Sequence, residues 1–92
     1  MKTNMKTKTY SFYADTGHGW LKVSRMELIK LGIIDKISSY SYQRKDSVYL
    51  EEDCDLSVFY DAMRDKGIQV KFREFTTETK RSKIRSYDCF VP

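Results

Sequence analysis

The chain has 92 residues, of which 40% are hydrophobic and 33% charged, and its formal net charge is +4. This balance is typical of a globular chain and excludes the low-hydrophobicity, high-net-charge composition of a disordered protein. No apolar run approaches the roughly 20 residues that cross a bilayer, and no apolar segment follows the Lys-rich N-terminus, so neither a membrane span nor a secretory signal is predicted. We expect one small domain over residues 9–92, preceded by a disordered leader over residues 1–8.

The two cysteines, Cys54 and Cys89, lack both the paired spacing of a zinc site and the density of a disulfide scaffold. They are therefore interpreted as reduced thiols of a cytoplasmic protein. The acidic neighbours of Cys54 oppose thiolate formation, which argues against a reactive nucleophile. Neither a metal nor a cofactor is predicted.

The first predicted elements are two strands joined by a turn. The run TYSFY over Thr9–Tyr13 is rich in strand-forming residues and places Tyr10 and Phe12 on one face. Two glycines within Asp15–Gly19 predict a tight turn. The chain then resumes as a second strand over Trp20–Val23.

A helix is predicted directly after the second strand. Ser24 and Glu27 match a capping box, which predicts a helix from about Arg25 to Leu31. Gly32 suits the left-handed position that follows many helices. The expected core-facing stripe contains Met26, Leu28, Ile29 and Ile33.

A hairpin and a second helix follow. A three-residue polar connection separates two strand-like segments, Ile37–Gln43 and Ser47–Glu51. Asp53 or Asp55 is expected to cap the second helix. Gly67 is expected to end it. The apolar face of this helix contains Leu56, Phe59, Tyr60 and Met63.

The last part of the chain predicts a second strand pair. Ile68, Val70 and Phe72 alternate with polar residues, which is typical of a strand with one buried face. After the polar loop TTETKRS, the segment KIRSYDCF is expected to form a closing strand that pairs antiparallel with it. The order ββα-ββα-ββ predicts an α+β fold, with a single antiparallel sheet of about five to six strands and two short helices on one face.

Candidate catalytic patterns are few. Asp15-Thr16-Gly17 is the tripeptide of aspartic proteases. The flanking apolar residues and a glycine-rich flap are missing, so a turn is the favoured interpretation. His18 is the single histidine, so neither a catalytic triad nor a multi-histidine metal site is readily assembled. We therefore predict that the protein is not an enzyme.

Charge is segregated along the chain. Residues 51–65 carry six Asp/Glu and one Lys/Arg, and basic segments lie on both sides. The carboxylates of Glu51–Asp55 could attract a divalent cation or a basic partner. Acidic residues are also expected at a helix N-terminus because of the helix dipole, and this interpretation is favoured here.

Two groups of residues are candidates for binding. The first consists of aromatic residues and a histidine in predicted loops and strands, where interface anchors are common. Packing of Trp20 into the core and of Tyr42 against Tyr49 is the structural alternative. The predicted partner-binding residues are His18, Trp20, Tyr40 and Tyr42.

The second group is basic. Side chains of two strands that are expected to pair would form an outward face in which cations and an aromatic ring alternate, with Lys80 and Arg81 in the connecting loop. Such a face suits single-stranded nucleic acid or an acidic partner. A solvated sheet face is the alternative. The predicted residues are Lys71, Arg73, Lys83, Arg85 and Tyr87.

Three segments, FYADTGHGWLKV, ISSYSYQRKDSVYLEEDCD and IRSYD, resemble those of small bacteriophage and plasmid-borne proteins. The resemblance covers most of residues 10–88 and carries over no functional residue. It implies a protein of the bacterial cytoplasm that binds a host or phage macromolecular complex stoichiometrically, as inhibitors of host defence do. The expected form is a monomer or homodimer, and the alternative function is nucleic-acid binding.

Overall fold

The computed structural model describes residues 6–77 and 82–92, which form one six-stranded sheet with two short helices. The strands are β1 (Lys6–Ala14), β2 (Gly19–Ser24), β3 (Tyr42–Arg44), β4 (Ser47–Glu51), β5 (Ile68–Thr76) and β6 (Asp88–Cys89). The helices are α1 (Arg25–Lys30) and α2 (Leu56–Asp65), and two 3-10 helices are η1 (Ile34–Lys36) and η2 (Lys83–Ser86).

The sheet has the strand order β5-β1-β2-β4-β3-β6 and is mostly antiparallel. The predicted α+β class and the ββα-ββα-ββ order are confirmed. The pair β1–β5 is parallel because α2 carries the chain from β4 across β2 and β1 to the far edge. A parallel neighbour needs such a crossover, whereas a hairpin gives only antiparallel pairs.

The predicted pairing of β5 with the closing strand is wrong. β5 pairs with β1 at one edge of the sheet, and β6 pairs with β3 at the other edge. The segment expected as a single closing strand instead forms η2 followed by the two-residue β6. Hydrogen bonds from this segment to Asp15, described below, hold it across the sheet and away from β5.

The two sheet faces bury different clusters. On the helix face, strand residues pack against α1 and α2 and form the main core, which includes Leu21, Leu28, Leu50 and Phe59. On the opposite face, here named the open face, η2 covers a smaller aromatic cluster. This second cluster contains Trp20, Tyr49 and Ile84, with Tyr13, Tyr42 and Tyr87 packed around it.

Helix α1 begins and ends as predicted. Ser24 Oγ accepts the Glu27 amide at 3.1 Å, and the Glu27 carboxylate accepts the Ser24 amide at 3.0 Å, completing the capping box. Gly32 has φ +72° and the Ile33 amide bonds to the Leu28 carbonyl, which is the Schellman arrangement. Met26 and Ile29 are exposed, against expectation, because a six-residue helix turns only Leu28 fully into the core.

Several boundaries differ from prediction. β1 begins at Lys6, so residues 6–8 of the expected leader belong to a strand, and residues 1–5 lie outside the described part. The hairpin is confirmed, but β3 begins only at Tyr42.

Phe72 and Tyr60 are partly exposed and stack on each other near the β5 edge, with ring centroids 5.8 Å apart. Most of the predicted loop TTETKRS, residues 78–81, lies outside the described residues.

Neither of the α-helices found among residues 6–77 and 82–92 has the length and apolar character needed to cross a membrane.

Candidate functional site

A buried carboxylate holds η2 on the open face. The Asp15 side chain has no solvent exposure and accepts hydrogen bonds from the amides of Gly17, His18 and Ser82. It also accepts two from Arg85, at 2.7 Å from Nε and 2.9 Å from Nη2. These contacts join the β1–β2 turn to η2, although Asp15 and Arg85 are 70 residues apart in the chain.

The guanidinium of Arg85 and, to a smaller extent, the backbone amides hold the pKa of Asp15 well below its usual range. An aspartic protease needs an aspartate that shares a proton with a second one. The Asp15 carboxylate is instead ionised and bonded to Arg85, so the tripeptide acts as a turn, as the favoured interpretation had it. Arg85 was predicted on the outward face of a closing strand, and this placement is wrong because Arg85 lies in η2 and forms an ion pair with Asp15.

A cleft on the open face, here named the tryptophan cleft, unites the predicted partner-binding residues. Its volume is about 310 Å³. His18 and Trp20 reach it from the β1–β2 turn and β2, Tyr40 and Tyr42 from the segment before β3 and from β3. The lining residues are His18, Trp20, Tyr40, Tyr42, Glu51, Asp53, Cys54 and Arg85.

Trp20 forms the floor of this cleft. Its side chain is only 2% exposed, so of the two interpretations of Trp20, the one that packs it into the core is confirmed and the exposed anchor is excluded. The Arg85 guanidinium lies 5.5 Å from the indole ring, and Tyr42 contacts it edge-on at 6.1 Å. The indole Nε1 finds no acceptor among the described residues, which leaves a buried N–H donor at the floor.

The acidic side of the cleft is built around Glu51. Its Oε1 accepts the amides of Asp53 and Cys54, and its Oε2 lies 3.2 Å from His18 Nδ1. Candidate ligand atoms of His18, Glu51 and Asp53 lie within 4.8 Å of one another, so these three residues could hold a metal ion. Both Glu51 oxygens already serve these internal contacts, so an ion would have to replace the His18 contact.

Asp55 positions the aromatic rim. It stands at the N-cap of α2, but its side chain makes no capping hydrogen bond. Its carboxylate instead accepts bonds from the Ser38 amide, the Ser38 hydroxyl and the buried Ser41 hydroxyl. The predicted capping role is therefore replaced by an anchoring role. The segment that it anchors presents Tyr40, which is 71% exposed.

Cys54 is exposed at the edge of the cleft. A hydrogen bond with Glu51, together with the neighbouring acidic charges, raises the pKa of its thiol. A raised thiol pKa opposes thiolate formation, in the direction that the acidic sequence context indicates.

A second depression, here named the tyrosine groove, lies on the same face on the other side of η2 and has a volume of about 580 Å³. It contains Lys83 and Tyr87 of the predicted basic group, whereas Lys71 and Arg73 lie further along β5, exposed. The groove is lined by Tyr13, Lys22, Arg44, Tyr49, Phe75, Thr77, Ser82, Lys83, Ile84 and Tyr87.

Sequence reasoning missed most of this groove. Tyr13, Lys22, Arg44 and Phe75 were not singled out, because each belongs to a different strand. Strand alternation could have placed Tyr13 opposite Tyr10 and Phe12, and Lys22 opposite Leu21 and Val23. The order of the strands was still needed to bring the four together.

Comparison of the chain with family models, with curated proteins and with solved structures gives no match. Geometry and chemistry are therefore the basis for the function proposed next.

Proposed function

We propose that this protein acts by stoichiometric binding of a macromolecular partner, which inserts a basic side chain into the tryptophan cleft. Tyr40 and Tyr42 offer aromatic surfaces above the buried Trp20, and Glu51 and Asp53 offer negative charge. A cation is attracted both to the face of an aromatic ring and to a carboxylate, and Arg is the cation most often found in such contacts. An arginine or lysine of a protein partner has this chemistry.

The observation that carries the proposal is convergence. The cleft residues come from three segments that are distant in sequence: the β1–β2 turn with β2, residues 40–54, and η2. Small binding proteins concentrate affinity in a few central aromatic residues, and a concave aromatic cleft beside an exposed tyrosine fits that pattern.

The resemblance supplies the cellular setting of the proposal. On that basis alone, the proposed partner is a host or phage complex in a bacterial cytoplasm, and the proposed outcome of binding is inhibition of that complex, as for an anti-defence protein. Binding in a one-to-one ratio with no chemical turnover is sufficient for such an inhibitor.

The test uses tagged protein to capture partners from nuclease-treated bacterial lysate, with identification by mass spectrometry and titration of the purified partner by calorimetry. Tyr40→Ala and Asp53→Lys are expected to weaken binding of that partner by about 2 kcal/mol each, roughly 30-fold. Tyr60→Ala is the matched control, since it removes an exposed tyrosine from α2, outside the cleft.

The free energy of unfolding of each of the three variants, measured by denaturant titration, should equal that of the wild type within about 0.5 kcal/mol, because all three positions are exposed. Retention of the partner by both Tyr40→Ala and Asp53→Lys would refute the cleft as the binding site. Recovery of no discrete protein partner from the nuclease-treated lysate would refute partner binding altogether.

A further inference from the structure

Four aromatic rings form a continuous row across the tyrosine groove. Phe75 of β5 stacks on Tyr13 of β1, with ring centroids 5.3 Å apart and planes at 20°. Tyr13 contacts Tyr49 of β4 at 6.3 Å, and Tyr49 contacts Tyr87 at 5.2 Å. Phe75 is 44% exposed, and Tyr13 and Tyr87 are partly exposed. The row therefore presents ring surface to solvent from the β5 side to the η2 side.

The charged residues in the described lining of this groove are all positive. Lys22, Arg44 and Lys83 line the groove, and its described lining includes no Asp or Glu. None of the three lies within salt-bridge distance of a carboxylate of residues 6–77 or 82–92. The Arg44 guanidinium lies 5.4 Å from the Tyr87 ring, so cation and aromatic surface are adjacent.

The positive surface continues beyond the groove along β5. Side chains alternate along a strand, so Lys71 and Arg73 share the face of Phe75. Both are exposed. A chain of negative charges that leaves the groove at Phe75 would therefore meet two further cations along β5.

We infer that the tyrosine groove binds single-stranded nucleic acid, with unpaired bases stacking on Phe75 and Tyr87 and phosphates bound by Lys22, Arg44, Lys71 and Arg73. Sheets that bind single strands use aromatic side chains to stack about two or three bases. Every base has a planar face, so such binding is tolerant of sequence. This inference concerns a different site from the tryptophan cleft and does not rest on the partner-binding proposal.

The observations favour a single strand over a duplex because the aromatic row lies in a depression. Bases inside a duplex stack on one another and cannot reach solvent-exposed rings such as that of Phe75, whereas unpaired bases can stack on them. An acidic protein would satisfy the cations but has no general use for a row of rings. The repeating phosphate and planar base match the combination of cations and rings.

The experiment measures fluorescence anisotropy of labelled oligothymidine and oligouridine of roughly ten nucleotides, a length within the site sizes of known single-strand binders. Affinity is measured across a range of salt concentrations and compared with a duplex of the same length. We expect the single strands to bind more tightly than the duplex, with affinity that falls linearly with log salt.

Two variants with a matched control separate the groove from general charge. Lys22→Glu/Arg44→Glu should weaken single-strand binding and reduce the salt slope by about one to two. Lys30→Glu/Lys36→Glu makes the same change in net charge at exposed positions of α1 and η1, and it should have a much smaller effect. Phe75→Ala should weaken binding at least about fivefold, and Phe75→Tyr should restore it.

Equal losses of single-strand affinity in the two charge-reversal variants would overturn the inference, since binding would then depend on net charge alone. Equal affinity for duplex and single strand, or unchanged binding by Phe75→Ala, would also overturn it, because stacking would play no part. Unfolding curves of each variant confirm that a loss of binding is not a loss of fold. A negative result in this experiment would not bear on the proposal that the tryptophan cleft binds a protein partner, because the two sites are different.

Discussion

At the scale of single residues, Asp15 joins the β1–β2 turn to η2 on the open face. Its carboxylate receives five hydrogen bonds while fully buried, and two of them come from Arg85. A buried ion pair contributes little net stability compared with an apolar replacement. Removing one partner is nevertheless destabilising, because it leaves the other charge buried without its partner. Asp15 therefore determines whether η2 stays on the sheet and whether both depressions keep their shape.

We expect Asp15→Asn to lower the free energy of unfolding by about 3 kcal/mol at neutral pH, measured by urea denaturation. Because the folded-state pKa of Asp15 lies below the unfolded value of about 3.9, its stabilisation is complete above that pH and is lost as pH falls. The difference in the free energy of unfolding between wild type and Asp15→Asn should therefore decrease below pH about 4. A difference that stays constant to pH about 2 would contradict this linkage.

Asp61→Asn is the control for this experiment, since the Asp61–Arg64 pair is exposed on α2. Exposed pairs contribute little, so the change should stay within about 0.5 kcal/mol at every pH.

At the scale of elements, short segments are fixed by side chains from elsewhere in the fold. Glu27 caps α1 and also accepts hydrogen bonds from Tyr10 at 2.6 Å and Lys8 at 3.3 Å, both of β1. Burial alone would raise the pKa of Glu27, but these hydrogen bonds and that of Ser24 outweigh it and lower the pKa. The segment before β3 is held in the same way, by Asp55 through Ser38 and Ser41.

Ser41→Ala tests this anchoring. The Ser41 hydroxyl is fully buried, donates to Asp55 and accepts the Glu51 amide at 2.9 Å. Its loss leaves both groups short of a partner, so we expect a decrease of about 1–3 kcal/mol in the free energy of unfolding. The neighbouring Ser39→Ala removes an exposed hydroxyl and should change it by less than about 0.5 kcal/mol. Equal effects of the two substitutions would show that Ser41 does not anchor the segment.

At the scale of the whole molecule, one sheet face carries two depressions of opposite character. The tryptophan cleft combines aromatic rings with carboxylates, and the tyrosine groove combines aromatic rings with the cations Lys22, Arg44 and Lys83. η2 supplies Arg85 to the first and Lys83 to the second. The two depressions share no lining residue.

We therefore expect the two sites to bind independently. Tyr40→Ala should leave oligonucleotide affinity unchanged within about twofold, and Lys22→Glu/Arg44→Glu should leave partner affinity unchanged within the same range. Calorimetry with the purified partner and anisotropy with the oligonucleotide measure the two affinities. A larger mutual effect would show that η2 couples the sites.

The local elements of this fold could be predicted because their causes lie close together in sequence. The Ser24–Glu27 capping box, the positive φ of Gly32 and Gly67, and the shared face of Tyr10 and Phe12 all involve residues within a few positions of one another. Such patterns determine helix starts, helix ends and strand faces. His18, Trp20, Tyr40 and Tyr42, which the sequence analysis singled out, all line the tryptophan cleft, and their role in binding stays a prediction.

What depended on contacts between distant residues could not be predicted. Whether β5 pairs with β1 or β6 is decided by the crossover of α2 and by the Asp15–Arg85 ion pair, and neither leaves a local pattern. The burial of Trp20 and the assembly of Tyr13, Tyr49, Phe75 and Tyr87 into one row follow from that choice. The sequence by itself determined the elements and their order, and the tertiary structure decided which side chains meet, because strand pairing is a property of the folded sheet and not of its separate segments.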